Sequence, residues 1–220
     1  IFLPKGNEMG EYKISEETKQ SLIQAAGILC AQHGVDNVSV QKIAKAANMH
    51  PGAVNYHFGS KENLLQCVML EAMRNWNIAR LVQYYENNVN LLRSLDGKRQ
   101  MVRDLLSMFY EMLYHEGQPL WINMVMARCV MGREKLRDML FKELVEPIFS
   151  LFAHLYREIT GNEDLDSARC WVINAISSVL LVTINLTWLS NGEPGESVNY
   201  SFYRRIQMFT TENALFSMGL

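Results

Sequence analysis

The chain has 220 residues, of which 49% are hydrophobic and 20% charged, a balance that excludes disorder and leaves ample material for a packed core. Its formal net charge is −2, and residues 1–61 hold six Lys against five acids, a weak footprint for a phosphate binder and no argument for a membrane surface. Runs of alternating β-branched residues bounded by turn signals are missing, so the whole chain reads as helical.

The first eight residues read as additional to the native chain, with Met9 as the candidate start. Ser15, followed by Glu16 and Glu17, makes a helix start: a capping hydroxyl and then acids at the positive end of the dipole. Leu22, Ile23, Ala26, Leu29 and Cys30 repeat at helical spacing up to Gly34, placed as a residue just past a helix end. Ser39 caps a second helix with Val40, Ile43, Ala44 and Ala47 on one face. Asn48 and Met49 form a tight turn, Pro51 opens a short third helix, and Gly59 closes it. Ser60 caps a long fourth helix, predicted to run to about Asn87.

Further periods span Lys98–His115, Pro119–Met131 and Arg133–Thr160, the last with a kink expected at Pro147. Leu165–Leu189 follows, then a turn over Asn191–Gly195 and a final helix over Val198–Phe216. Cys170–Leu189 carries no charge over 20 residues, which is membrane-helix length. Its Asn174, Ser177, Ser178, Thr183, Asn185 and Thr187 favour instead a helix buried on all sides, partly by a second subunit.

Two helices on a short turn, the second beginning with small residues, are the organisation of a helix-turn-helix. Such a second helix lies in the major groove of a duplex. Gly52 and Ala53 lack bulk, so backbone approaches DNA closely, while Val54 and Phe58 face inward. His50, Asn55 and Tyr56 point outward; Asn can pair adenine through two bonds and Tyr can give its hydroxyl to phosphate. Lys61 adds a cation beside free amide groups. Ser39, Gln41 and His57 complete the candidate DNA-binding set. Three assignments stay open: His57 as a core hydrogen-bonding residue, His50 as a cap on the turn, and Lys61 as a solvated lysine.

The stretch "SVQKIAKAANMHPGAVNYHFGSKENLL", with the preceding "IQAAGILCAQHGVDN", resembles the DNA-binding domain of the TetR family of bacterial transcriptional regulators. The "NYHFGSKE" wording resembles a subgroup of that family. The resemblance implies an all-α dimer: a three-helix DNA-binding domain over 13–62, joined by a long helix to a helical ligand-binding and dimerisation domain over 63–220. It implies a near-palindromic double-stranded operator, a cytoplasmic, nucleoid-associated repressor, and release by a small inducer. Departures are Asn55 where many members carry Tyr, Cys30 for Phe, Asn48 for Gly, and a recognition helix without Arg.

Residues 98–160 are rich in Met, and with Phe109, Met112, Trp121, Met124, Arg128, Phe152 and Tyr156 they offer a candidate apolar pocket for a hydrophobic or aromatic compound. Arg128 is the one charge in Leu120–Met131; facing inward it needs an anion, facing outward it needs none. Leu165–Leu189 is too apolar for one chain to cover and the helix from Val198 carries Phe202, Ile206, Phe209 and Leu215 as a stripe, so the last two helices are the expected homodimer element. An inducer that wedged the C-terminal helices would swing the long helix and change the spacing of two DNA-reading heads. The competing reading is a DNA-tethered protein-interaction factor of the same fold with no inducer.

Cys30, Cys67, Cys129 and Cys170 show no C-x-x-C and no Cys/His cluster, and read as buried apolar residues of a reducing compartment, with a redox-sensing thiol as the lesser alternative. His33, His50, His57, His115 and His154 form no metal-ligand spacing or catalytic motif. No cofactor, metal, enzyme activity or membrane span is expected.

Overall fold

A computed structural model describes residues 6–115, 118–130, 134–184 and 200–220. All regular structure among them is helical: α1 Gly6–His33, α2 Val40–Ala46, α3 Gly52–Phe58, α4 Lys61–Arg74, α5 Ile78–Asn88, α6 Leu95–Leu113, α7 Trp121–Val130, α8 Glu134–Leu140, α9 Glu146–Thr160, α10 Leu165–Ile184 and α11 Tyr200–Ser217.

The helices gather into two compact units. One runs up to Arg74 and also takes in Pro119–Arg137; the other comprises Asn75–Gln118 and Asp138–Leu220. The units therefore divide the chain elsewhere than at residue 62, because α4 and α7 both pack on α1.

In the first unit Leu22, Ala26 and Cys30 of α1, Ile43 and Ala44 of α2, Val54 of α3 and Leu64, Leu65 and Val68 of α4 are all buried. They are the apolar positions of helices none of which could bury its face alone. The α7 helix closes this core with Ile122, Val125, Met126 and Cys129. Gly27 on α1 makes room for the Trp121 ring, which occupies the place a methyl would take.

Three expectations change. The first helix starts at Gly6, so Ser15 lies inside it; no Pro stands between them, and Glu16 instead pairs with Lys19 at 2.7 Å. The long fourth helix is two. It stops at Arg74, and the Asn77 carboxamide oxygen caps α5 by accepting from the Arg80 amide at 3.3 Å. Asn is a weak helix former that favours caps, which is why the chain breaks there. At Pro147 the helix does not simply kink: a π turn over Phe141–Val145 separates α8 from α9, and the widened turn accommodates the carbonyl that the proline ring cannot serve.

In the second unit a chain of rings forms the core. Phe109 meets Phe152 edge-on at 5.8 Å, Phe152 meets Trp171 at 6.4 Å, and Trp171 meets Tyr156 at 5.6 Å. The polar tips are satisfied: the Tyr110 hydroxyl reaches Ser178 Oγ at 2.9 Å, Tyr203 donates to the Tyr110 carbonyl at 2.8 Å, and the Trp171 indole donates to the Ala214 carbonyl at 3.1 Å. Burial pushes the Tyr110 and Tyr203 phenols up from their usual range. Two groups among the described residues of this unit differ: Gln118 is buried with neither carboxamide atom hydrogen-bonded, and the buried Arg157 Nε has no hydrogen-bond partner.

The outward faces of α10 and α11 are apolar in places. Ile173 is 51% exposed, Met208 68%, Phe209 73% and Phe216 84%. The turn over Asn191–Gly195 and the expected end of α10 lie outside the described residues. No helix among those described is long and apolar enough to cross a membrane.

Candidate nucleic-acid interface

The turn between α2 and α3 is built by local hydrogen bonding. Ser39 Oγ accepts from the Lys42 amide at 3.3 Å and starts α2. At its end the Asn48 amide donates to the Lys45 carbonyl at 3.1 Å and the Met49 amide to the Ala44 carbonyl at 2.8 Å, the paired bonds of a helix stop with a left-handed residue. That residue is Asn48, with φ of 59°. Its short polar side chain makes it one of the few non-glycine types that tolerates this region.

His50 caps the next helix. Its Nδ1 accepts from the Gly52 amide at 3.1 Å, so the ring is committed to holding the first turn of α3. His50 itself stays exposed beside α3. Gly59, with φ of 74°, ends α3 by donating to the Asn55 carbonyl at 3.0 Å. Ser60 caps α4 through the Asn63 amide at 3.1 Å, and the Asn63 side chain returns to the Phe58 carbonyl at 2.8 Å.

With both ends fixed, α3 has little freedom to roll. Val54 is fully buried and Phe58 half-buried, while Gly52, Asn55 and Tyr56 are exposed, Tyr56 by 84%. Burying the Val54 side chain stabilises this seating by roughly 1.5–3 kcal/mol. Ala53 is half-buried, and His57 is half-buried with its ring edge-on to Tyr56 at 4.8 Å. The exposed side of α3 is therefore a bare backbone start followed by an amide and a phenol. Gln41 is exposed on the neighbouring α2 beside Lys42 and Lys45, also exposed. These two lysines, absent from the candidate set, are the ready cations of this surface; only their position on α2 marks them.

Lys61 is placed differently. Its Nζ donates to the Val35 carbonyl at 3.3 Å and is partly buried, tying the start of α4 to the turn after α1. Arg128 resolves to the outward alternative: it is exposed, and Nη2 donates to the Gln32 carbonyl at 3.3 Å. A cation there meets the negative end of the α1 dipole and needs no ligand carboxylate.

The other candidate ligand residues divide between the units. Trp121, Met124 and Arg128 belong to the first; Phe109, Met112, Phe152 and Tyr156 belong to the second. Phe109 and Phe152 are core residues packed on each other, and Tyr156 with Trp171 borders a groove of about 710 Å³ between α10 and α11.

The fold and this surface define a helix-turn-helix protein of wholly helical build. Residues 22–68 match the family model described as bacterial regulatory proteins, tetR family. The chain is 31% identical over 101 residues, 46% of its length and 40% of the relative's, to the HTH-type transcriptional regulator AcrR of Shigella flexneri. It thus spans less than half the length of the curated relatives it matches. Among solved structures, a TetR-like transcriptional regulator from Rhodococcus sp. RHA1 superposes with a TM-score of 0.61 at 15% identity, covering 92% of this chain and 96% of that one. The multidrug binding protein EbrR complexed with malachite green gives 0.55 at 19% identity, over 87% and 96%. These likenesses extend the tetR-type fold over most of the chain.

Proposed function

We propose that the protein is a ligand-responsive transcriptional regulator of the TetR type, a repressor that binds a near-palindromic duplex operator as a homodimer. It does so in the cytoplasm on the bacterial nucleoid, and it belongs to the subgroup marked by the "NYHFGSKE" wording. The observation that carries this reading is α3: a seven-residue helix capped at both ends, anchored by Val54, and presenting Gly52, Asn55 and Tyr56 from inside a segment that matches a family of DNA-binding regulators. Asn55 is the reader of a base edge, Tyr56 contacts phosphate, and Lys42 and Lys45 supply the nearby charge.

The inducer is a small hydrophobic or aromatic compound. Two observations support this: a same-fold protein holds a triarylmethane dye, and Gln118 offers an unmatched buried carboxamide to a ligand that brings its own donor or acceptor. Such a ligand releases DNA only by preferring the conformer that binds it poorly. The groove beside Tyr156 and the exposed rings of α11 are the expected contact with a second copy. The solid packing of Phe109 on Phe152 favours, for those two residues, the alternative of a protein-interaction factor with no inducer.

Selection of bound sequences from a random duplex pool tests the reading. Recovery of an inverted repeat, with preference at one base pair per half-site lost in Asn55→Ala, is the expected result. Indifference to every duplex at low ionic strength would overturn it. Titrating malachite green into the complex then separates the inducer reading from the alternative, since the interaction factor would stay on DNA.

A further inference from the structure

The His50 ring has two nitrogens, and the fold uses one of them. Nδ1 accepts from the Gly52 amide at 3.1 Å. A ring nitrogen that accepts a hydrogen bond carries no proton, so the neutral imidazole holds its single proton on Nε2. The ring is also held in place. A Cβ on Gly52 would come within 3.2 Å of Nδ1 and 3.8 Å of Cε1, so the imidazole lies against the bare backbone of that glycine. Below the ring, the His50 carbonyl accepts from the Ala53 amide at 2.9 Å, and Pro51 fixes the chain between them with φ of −52°. Nε2 has no hydrogen-bond partner among the described residues, and His50 is exposed. With Nδ1 turned to the amide, the Nε2–H is left facing away from α3 as a free donor of fixed tautomer.

We propose, on the DNA-binding reading above, that His50 is a specificity-determining residue whose Nε2–H donates to N7 of a purine in the major groove. The cap and the DNA contact then fall to opposite nitrogens of one ring. Residues at the start of a recognition helix face base edges. A lone donor matches a lone acceptor: both purines carry N7 on that edge, whereas cytosine offers a donor and thymine sets its O4 beside a methyl. The neutral ring adds no charge for phosphate, which the exposed Lys42 and Lys45 of α2 supply. His50 therefore prefers purine over pyrimidine at one base pair of each half-site.

Two measurements test this, the first without DNA. A long-range 1H–15N spectrum of the labelled full chain is recorded at alkaline pH, where imidazoles are neutral. The His50 signals, identified by their loss in His50→Ser, are expected to show Nε2–H with Nδ1 bare. A proton on Nδ1 overturns the proposal whatever the protein does with DNA. In the second, wild type and His50→Ser bind the operator selected from the random pool, and copies with each purine in turn replaced by its 7-deaza analogue. Serine can still cap α3, but the ring donor is gone. Wild type should lose about fivefold at one purine per half-site. His50→Ser should be weaker by the same factor on the unmodified operator and indifferent to that replacement, with the salt slope of wild type. A lowered slope in His50→Ser puts the ring on phosphate and overturns the proposal. If wild type binds but no single N7 matters to it, or if His50→Ser still responds to the loss, the proposal falls and the DNA-binding reading stands. If wild type ignores every duplex, both fall.

Discussion

Asn48 carries the positive φ of the turn before α3, and its side chain is exposed, so its value to the fold is conformational. Asn48→Ala places a Cβ that disfavours this region and should destabilise the first unit by about 1 kcal/mol, whereas Asn48→Gly should cost nothing. Urea unfolding of the two variants checks this. On the proposed DNA surface, Lys42→Ala should weaken binding to all sequences alike and lower the slope of log affinity against log salt by about 1. Lys61→Met should instead show up mainly as lost stability, because its ammonium serves the Val35 carbonyl. The residues that set local geometry were readable from their order alone: Ser39 and Ser60 accept from amides three positions on, and the Gly34 and Gly59 amides donate to carbonyls four positions back. Lys61 and Arg128 were not, since the carbonyls they hold, Val35 and Gln32, are 26 and 96 residues away.

Two helices of this protein begin where a side chain takes over a backbone bond. Asn77 does so for α5 and Ser94 for α6, where Ser94 Oγ accepts from the Gly97 amide at 3.1 Å. The hydrophobic period runs on through Asn75–Asn77, so periodicity alone predicts one helix; the asparagines decide against it because they cap better than they propagate. Gly97 shows a second kind of constraint. A Cβ there would run into the backbone carbonyl of Leu91, and backbone cannot rotate out of the way as a side chain can. Gly97→Ala should therefore destabilise the second unit by roughly 2–3 kcal/mol or more, read by thermal unfolding. Gly27→Ala meets the Trp121 ring instead, so pairing it with Trp121→Leu should recover part of the loss, which a double-mutant cycle measures.

At the scale of the molecule, the all-helical class and the helix-turn-helix segment were legible because both follow from period and local stop signals. The apolar candidate pocket was less so. Met and aromatic residues at helical spacing look alike whether they line a cavity or fill a core, and Phe109 and Phe152 fill one. Global stability carries a pH signature. The Cys30 and Cys129 thiols are raised from 9.0 to about 11 by burial, so the unfolded chain releases these protons first. Unfolding free energy should hold below pH 9 and fall as pH climbs toward 11, a decline that Cys30→Ala/Cys129→Ala reduces. The proposed homodimer draws on Phe209 and Phe216, both exposed: Phe209→Glu should shift the protein to monomer by light scattering and weaken operator binding with it.

The capture of α7 by the N-terminal helices has a consequence for how the chain comes off the ribosome. Ile122, Val125 and Met126 complete a core whose other walls lie before Arg74. Synthesis of those walls finishes well before their missing piece exists, so the growing polypeptide must carry an open hydrophobic seam through the whole of Asn75–Gln118. An emerging chain halted at Arg74 should bind trigger-type chaperones and resist compaction, and one released just past Arg137 should lose that affinity.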